Sequence, residues 1–328
     1  MKGDSEGDVQ VAFKIMRKIF CAMYLAVMVA SSFLLSGCGE EEKKTSSNPP
    51  LHTSVEAKSP ETTPIVEEKV VEPQIPKSDK FVLANKDFSN LQLYEYNKPV
   101  YDAYGYWQRQ ESSMQTTLPD LQPYYGDHIV YLTFDDGPDD KNTPAILDIL
   151  RNENVPATFY VVGTMVEAYP DVLKRIFNEG HAIGNHSYNH KYNELYASPW
   201  DFISQFQRTD DIIMEQIGVR PLIIRAPGGT CGAFNADYWD MVKSSGYVEH
   251  DWNVLTRDAE SGGKTAAAQI ANVQGQMEAN GDLKSVILLM HSTSAKDETV
   301  KALPEIIHYF KDRGYTFGVV TPMTPQPW

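Results

Sequence analysis

Two adjacent carboxylates at the end of an apolar segment form the first group in the sequence that could carry chemistry. Asp135 and Asp136 directly follow residues 129–134 and precede Gly137 and Pro138. Aspartate and glycine are also ordinary turn residues, so this pair alone is weak evidence for a functional site. We expect Gly137 to relax the end of the segment so that both carboxylates can reach one cavity.

A pair of histidines gives a second group. His186 and His190 are separated by four positions, which on a helical turn places both imidazoles on one face. Most pairs with this spacing are surface or capping residues, so the pair needs support from elsewhere. Two histidines and one carboxylate would make an open metal site with a position left for water. Zinc in such a site lowers the pKa of its water from about 15.7 to about 7.

Three further polar groups follow apolar segments later in the chain. Arg225 begins the sequence Arg-Ala-Pro-Gly-Gly, His291 follows the apolar residues 286–290, and Asp258 follows the segment that contains Trp252. Each could be structural by itself, because an arginine is usually a solvated charge and a Pro-Gly-Gly sequence is usually a loop.

The elements that would position these residues alternate between strands and helices from residue 128 onward. Strands are predicted at residues 129–134, 158–162, 181–184, 222–225, 247–254, 286–290 and 315–320. Helices are predicted from an N-cap at Thr143 through residue 150 and at residues 170–178, 199–217, 236–245, 265–279 and 301–313. This order indicates a mostly parallel α/β fold, either barrel-like or doubly wound, in which a site lies at the carboxyl ends of the strands.

These five ordered motifs resemble those of the polysaccharide deacetylases of carbohydrate esterase family 4, over about residues 128–322. The resemblance implies an α/β fold, a distorted (β/α) barrel generally of seven strands. It also implies an enzyme that hydrolyses N-acetyl groups on sugars such as those of peptidoglycan, with cell-wall polysaccharide as its substrate.

The resemblance assigns roles to the first two groups. Asp135 matches the general base, and Asp136, His186 and His190 match the ligands of a divalent metal. Zinc is the expected ion, with cobalt or nickel as alternatives. A charged Arg225 and a cation beside Asp135 are expected to favour its ionised form.

The remaining groups complete the implied mechanism. Arg225 matches the residue that positions the base, His291 the general acid, and Asp258 the residue that orients that acid.

The chain departs from the family pattern at two positions. Gly228 stands where the family usually has an aromatic residue, and Ala259 stands where it usually has tryptophan. A backbone N–H remains at Gly228 to hold the oxyanion. Trp252 or Leu289 could supply the apolar wall of the acetyl pocket, whose shape these departures alter.

The N-terminus predicts export and lipidation. Residues 1–38 contain a basic region, an apolar run and the sequence Leu-Ser-Gly-Cys, which is typical of a lipoprotein signal with Cys38 as the lipid acceptor. The alternatives are an uncleaved signal anchor and a plain secretory signal, and translation could start at Met1 or at Met16. The predicted location is the outer side of the bacterial cytoplasmic membrane, or elsewhere in the cell envelope.

Between the signal and the catalytic domain, composition predicts two segments. Residues 39–80 are rich in proline and charged residues and are predicted to form a disordered tether. The tyrosine-rich residues 81–127 are predicted to pack on the domain at residues 128–322 as an N-terminal extension.

The net charge of −15 excludes a nucleic-acid partner that depends on many phosphate contacts. The expected partners are the polysaccharide and, through the lipid on Cys38, the membrane; we expect a monomer.

An O-acetyl esterase acting on xylan or another glycan is the main alternative function, because it would use the same metal and base. A catalytically silent wall-binding lipoprotein and a transporter's substrate-binding lipoprotein are disfavoured, since neither requires this set of carboxylates and histidines.

Overall fold

The computed structural model describes residues 79–92, 97–281 and 283–327. The predicted signal peptide, Cys38 and all but the last two residues of the predicted tether lie outside these ranges. Within the ranges, no helix is both long enough and apolar enough to cross a membrane.

The chain alternates between strands and helices, as its pattern predicts. The strands are β1 Val82–Ala84, β2 Val100–Asp102, β3 Ile129–Asp135, β4 Thr158–Val161, β5 Ala182–Asn185, β6 Arg220–Pro221, β7 Ile223–Ile224, β8 Val248–Glu249, β9 Val254–Leu255, β10 Ser285–His291 and β11 Thr316–Gly318. The α-helices are α1 Tyr106–Glu111, α2 Asn142–Glu153, α3 Gly163–Ala168, α4 Pro170–Glu179, α5 Tyr192–Leu195, α6 Pro199–Ile217, α7 Ala236–Ser244, α8 Ala266–Asn280 and α9 Asp297–Asp312.

The main sheet is parallel and confirms the predicted distorted (β/α) barrel. Seven strands follow one another in the order β8-β7-β5-β4-β3-β10-β9, and β11 pairs with the first half of β3. β4 pairs with the second half of the same strand, so β4 and β11 share one edge. Because every strand of this sheet runs in the same direction, their carboxyl ends lie at one end of the barrel.

Alternation along β3 separates the core into two layers. Val130, Leu132 and Phe134 belong to a large cluster with residues of the surrounding helices. Ile129 and Tyr131 instead belong to a smaller cluster with inward-facing residues of other strands. Since side chains alternate along a strand, the inward face continues to the last residue of β3 and leads to the carboxyl end of the barrel.

Among the predicted boundaries that differ from the structure, two have identifiable reasons. Helix α2 begins at Asn142, so Thr143 is not its N-cap. Asp139 and Thr143 instead bond reciprocally: Thr143 N donates to Asp139 Oδ1 at 2.7 Å, and Asp139 N donates to Thr143 Oγ1 at 3.0 Å. The two hydrogen bonds satisfy the main-chain N–H groups of Thr143 and Asp139, as in a capping box. Here, however, the first partner, Asp139, lies before the N-cap position.

The single strand predicted at residues 247–254 is two short strands, β8 and β9. In the segment between them, His250 O and Asp251 O accept hydrogen bonds from the guanidinium of Arg225, at 2.9 and 3.3 Å. Those carbonyls are therefore engaged by a side chain where a continuous strand would need a strand partner.

Residues before the barrel form a second, three-stranded sheet in the order β1-β2-β6. Phe81 and Tyr101 from this region belong to the large core cluster. The Tyr101 hydroxyl accepts a hydrogen bond from Ile183 N in β5 at 2.9 Å.

Candidate active site

The carboxyl ends of four strands bring the predicted residues into one cavity of about 590 Å³. Asp135 is the last residue of β3 and pairs in register with His291, the last residue of β10. His186 directly follows β5, and Arg225 directly follows β7. The cavity is lined by Asp135, Asp136, His186, His190, Tyr192, Gly228, Trp252, Leu255, Arg257, Asp258, Ala259, Glu260, Ser261, Leu289 and His291.

Three of these residues form a group that fits a divalent ion. The ligand atoms of Asp136, His186 and His190 all lie within 4.8 Å of one another. Asp136 Oδ1 is 3.6 Å from His186 Nε2 and 3.4 Å from His190 Nε2. The same oxygen is buried and accepts no hydrogen bond from any described residue. A buried carboxylate oxygen facing two imidazole nitrogens is the donor set that a metal with an open coordination position requires.

The protonation of His186 also suits a ligand. Its Nδ1 lies 2.8 Å from Arg225 O, which assigns the proton to Nδ1 and leaves the lone pair of Nε2 facing Asp136. Burial, with a smaller effect of His190, lowers the pKa of His186 to about 3, so the imidazole is neutral at physiological pH.

The predicted helical turn for the histidine pair is wrong. Residues 186–190 form a loop in which Ser187 and His190 have φ values of 73° and 57°. The two rings nevertheless converge, with centroids 5.1 Å apart. A turn in the left-handed region thus brings the imidazoles together without a helix.

The two aspartates diverge at the point where β3 ends. Asp136 has a φ of 74°, so it leaves the alternation of the strand and its carboxylate reaches the histidines. The change of direction thus lies at Asp136, one residue before the glycine that the sequence analysis emphasised. A Cβ at Gly137 would collide with the Ser292 hydroxyl, so glycine is needed there for close packing of the chain after β10.

Asp135 is held by a buried arginine. Arg225 Nη1 donates to Asp135 Oδ1 at 2.9 Å and to Thr133 Oγ1 at 2.7 Å. Burial raises the pKa of Asp135, and the charge of Arg225 opposes that rise only in part. The sequence-based expectation considered only the cationic neighbours and left out burial, which here acts in the opposite direction.

In the same cavity, Asp258 holds His291. The Nδ1 of His291 lies 2.7 Å from Asp258 Oδ1, and His291 N donates to Asp258 Oδ2 at 2.9 Å. Thr299 Oγ1 donates to the same Oδ2 at 2.9 Å. Burial acts to lower the pKa of His291, but the hydrogen bond and charge of Asp258 outweigh it, and the net pKa is raised.

Gly228, the predicted oxyanion donor, lies in a turn whose backbone conformation favours glycine. Gly229 N donates to Ala226 O at 2.8 Å, and Gly228 has a φ of 78°, as a type II turn with proline at its second position requires. Among the described residues, none accepts a hydrogen bond from Gly228 N. Trp252 and Leu289, the predicted apolar wall, both line the cavity and are buried.

Four residues at or beside the site were given no role in the sequence analysis. Thr133 could have been found, because it lies two positions before Asp135 on the same face of β3. Tyr192, Arg257 and Glu260 line the cavity from loops and a short helix, and no spacing rule selects them.

Known proteins with similar sequences include polysaccharide deacetylases. Residues 124–250 match the family described as polysaccharide deacetylase. A peptidoglycan-N-acetylglucosamine deacetylase of Bacillus cereus is 33% identical over 200 residues, which cover 59% of this chain and 86% of that protein.

Two solved structures share the fold. A carbohydrate esterase family 4 esterase of Streptococcus mutans has a TM-score of 0.56 and 35% identity, covering 60% of this chain and 87% of its own. The catalytic domain of a peptidoglycan N-acetylglucosamine deacetylase of Eubacterium rectale has a TM-score of 0.54 and 30% identity, covering 66% and 96%.

Proposed function

The chain belongs to the polysaccharide deacetylase family, and from that premise we propose that it is a metal-dependent hydrolase that removes N-acetyl groups from N-acetylglucosamine in peptidoglycan. The relatives named for that activity support the choice of sugar. We further propose that the resident ion is zinc, because two imidazoles and one carboxylate suit it.

One observation carries the proposal: Asp135 and His291, the proposed base and acid, line the same cavity as the proposed metal ligands Asp136, His186 and His190. Asp135 Oδ2 is 3.7 Å from His186 Nε2, and His291 Nε2 is 4.0 Å from Asp136 Oδ2. A water and an acetyl carbonyl placed at the triad would therefore lie within reach of both groups.

The bound ion would polarise the acetyl carbonyl and make water a better nucleophile at neutral pH. Asp135, fixed by Arg225, accepts the proton of the attacking water. The Gly228 N–H donates to the acetyl oxygen as negative charge develops on it. His291, oriented by Asp258, gives its Nε2 proton to the sugar nitrogen as the C–N bond breaks.

We also propose that the protein is exported and held on the outer face of the cytoplasmic membrane by a lipid on Cys38. The lipoprotein-type sequence at residues 35–38 supports this location, where the enzyme would face its substrate.

Purified peptidoglycan incubated with the zinc-loaded protein tests the function. Acid removes acetyl groups from all sugars, so the treated wall is digested enzymatically and its fragments are analysed by mass spectrometry. We expect fragments lighter by one acetyl group on glucosamine. Loss of acetyl groups only from muramic acid, or from no sugar, would contradict the proposal.

Metal content is tested with the double substitution His186→Ala and His190→Ala. We expect wild type to hold about one zinc ion per chain and the variant to lose both zinc and activity. The matched control is His308→Ala, an exposed histidine that pairs with Glu153 outside the cavity. A double variant that keeps its zinc would place the metal elsewhere.

A further inference from the structure

Gly228 leaves a gap in the cavity wall where the family pattern expects an aromatic side chain. The gap is filled from another element: a Cβ at Gly228 would lie 2.8 Å from the hydroxyl oxygen of Tyr192, and 3.0 and 3.3 Å from two ring carbons. The tip of the Tyr192 ring thus occupies the volume that a side chain at position 228 would need.

Tyr192 is fixed beside the metal-binding triad. It opens helix α5, whose last residue Leu195 is fully buried. Its ring meets that of His190 edge to face, with centroids 5.5 Å apart and planes at 78°. The ring of Tyr196, the residue directly after this helix, lies 6.0 Å away. These contacts aim the Tyr192 side chain at the turn that carries Gly228.

The hydroxyl groups of Tyr192 and Tyr196 are used differently. Tyr196 Oη donates to Pro227 O at 2.7 Å and supports the turn from outside the cavity. Tyr192 lines the cavity and stays 43% exposed, and its hydroxyl makes no hydrogen bond with any described residue. The Tyr192 hydroxyl is therefore available to a ligand that enters the cavity.

We propose that Tyr192 contacts the acetyl group directly, with its ring forming the wall that Gly228 lacks and its hydroxyl donating to the acetyl oxygen beside the Gly228 N–H. This inference rests on the proposed function and adds a residue to it. The site would then hold the oxyanion with one main-chain donor and one side-chain donor from different elements.

Kinetics with chitotetraose, a soluble N-acetylglucosamine tetramer, separate the two roles. Tyr192→Phe removes only the hydroxyl, so we expect kcat to fall about tenfold or more, towards the 10²–10³ seen for lost oxyanion donors, with little change in KM. Tyr192→Ala also removes the wall, so KM should rise in addition. The control is Tyr188→Phe, whose hydroxyl bonds to Glu167 instead. A kcat of Tyr192→Phe equal to that of wild type would overturn the hydroxyl's role.

Unfolding in urea tests the packing without reference to activity. In wild type, Gly228→Ala must both adopt a positive φ and displace Tyr192, whereas in the Tyr192→Ala background only the backbone strain remains. We therefore expect Gly228→Ala to lower the urea midpoint more in wild type than in Tyr192→Ala. Equal shifts in the two backgrounds would show that Tyr192 does not fill this space.

Calorimetric binding of chitotetraose to the zinc-loaded protein distinguishes failure of this inference from failure of the proposed function. If wild type deacetylates neither peptidoglycan nor the tetramer, the proposed function fails, yet weaker binding by Tyr192→Ala would still support the contact. If wild type is active and Tyr192→Ala binds and reacts as wild type does, only the contact is wrong.

Discussion

Two adjacent aspartates can carry different roles only if the backbone turns between them. Asp135 keeps the inward direction of β3 and meets Arg225, while Asp136, at a φ of 74°, faces the two histidines. Aspartate is one of the few residues with a side chain that tolerates this left-handed conformation. The backbone at position 136 therefore separates the proposed base from the proposed metal ligand within one dipeptide.

Matched substitutions of the two aspartates test this division. Asp135→Asn keeps size but removes the basic oxygen, so we expect bound zinc to remain while kcat falls by about 10²–10⁴. Asp136→Asn should instead weaken zinc binding, and excess zinc should restore part of its activity. The measurements are kcat and metal content of each variant across a zinc titration. Rescue of Asp135→Asn by zinc, with Asp136→Asn metal-loaded but inactive, would mean that the roles are reversed.

The pairing of His291 with Asp258 predicts a pH effect. The hydrogen bond and charge of Asp258 raise the pKa of His291, so the protonated acid persists to higher pH than it would without them. Asp258→Asn removes that charge, so the pKa of His291 falls and the alkaline limb of the kcat profile should move to lower pH.

The kcat profile of Asp258→Asn from acid to alkaline pH measures this shift directly. Asp297→Asn is the control. Asp297 is the first residue of α9, and its exposed carboxylate pairs with Lys141. If the alkaline limb stays in place or moves to higher pH, a group other than His291 causes it.

For single residues, the sequence predicts which polar side chains lie at strand ends. It does not predict the backbone conformations that direct those side chains into the cavity. Nine of the ten predicted positions line one cavity, and the tenth, Arg225, bonds to Asp135 behind it. The loop at residues 186–190 and the position of Tyr192 depend on positive φ values and on packing between distant segments. Neither leaves a periodic signal along the chain.

At the scale of elements, strongly patterned segments were predictable and irregular ones were not. Helix α6 begins after Ser198, whose hydroxyl accepts from Asp201 N, and ends at Gly218 with a φ of 75°, as its capping residues predict. The split of residues 247–254 into β8 and β9 depends on hydrogen bonds from Arg225, more than twenty positions away. The sheet that joins β1, β2 and β6 likewise depends on a long-range pairing.

A buried ionic group links that smaller sheet together. Asp102 at the end of β2 accepts from Arg109 Nη2 at 2.7 Å and from Arg220 Nε at 3.0 Å, and all three residues are fully buried. Asp102→Asn removes the carboxylate that the two buried guanidinium groups share, and leaves Arg220 with only Asp210, 3.5 Å away. We expect a loss of about 3–5 kcal/mol in the free energy of unfolding. Urea denaturation followed by circular dichroism measures it.

Asp148→Asn is the control for this substitution, because Asp148 pairs with Arg151 and Arg175 on the surface and should cost about 0–1 kcal/mol. Folded Asp102→Asn should keep the kcat of wild type, since Asp102 does not line the cavity. Equal stability losses in the two variants would mean that the buried group does not hold the smaller sheet.

At the scale of the whole molecule, the proposed anchor must let the site reach a polymer that lies away from the membrane. The sequence predicts a proline-rich tether at residues 39–80, of which all but the last two residues lie outside the described ranges. The net charge of the whole chain, −15, would also oppose its approach to anionic lipid headgroups. Together, the proposed tether and the charge favour a site that faces the wall and not the bilayer.

The final prediction concerns the attachment itself. Cys38→Ser removes the thiol that would carry the lipid, so we expect no incorporation of labelled palmitate and a protein that is unprocessed or released from the membrane. Cys231→Ser is the matched control and should label as wild type does, because Cys231 follows the signal region by almost two hundred residues. Starting translation at Met16 should leave labelling intact, because the basic residues before the apolar run are retained. Equal labelling of Cys38→Ser and wild type would exclude Cys38 as the acceptor.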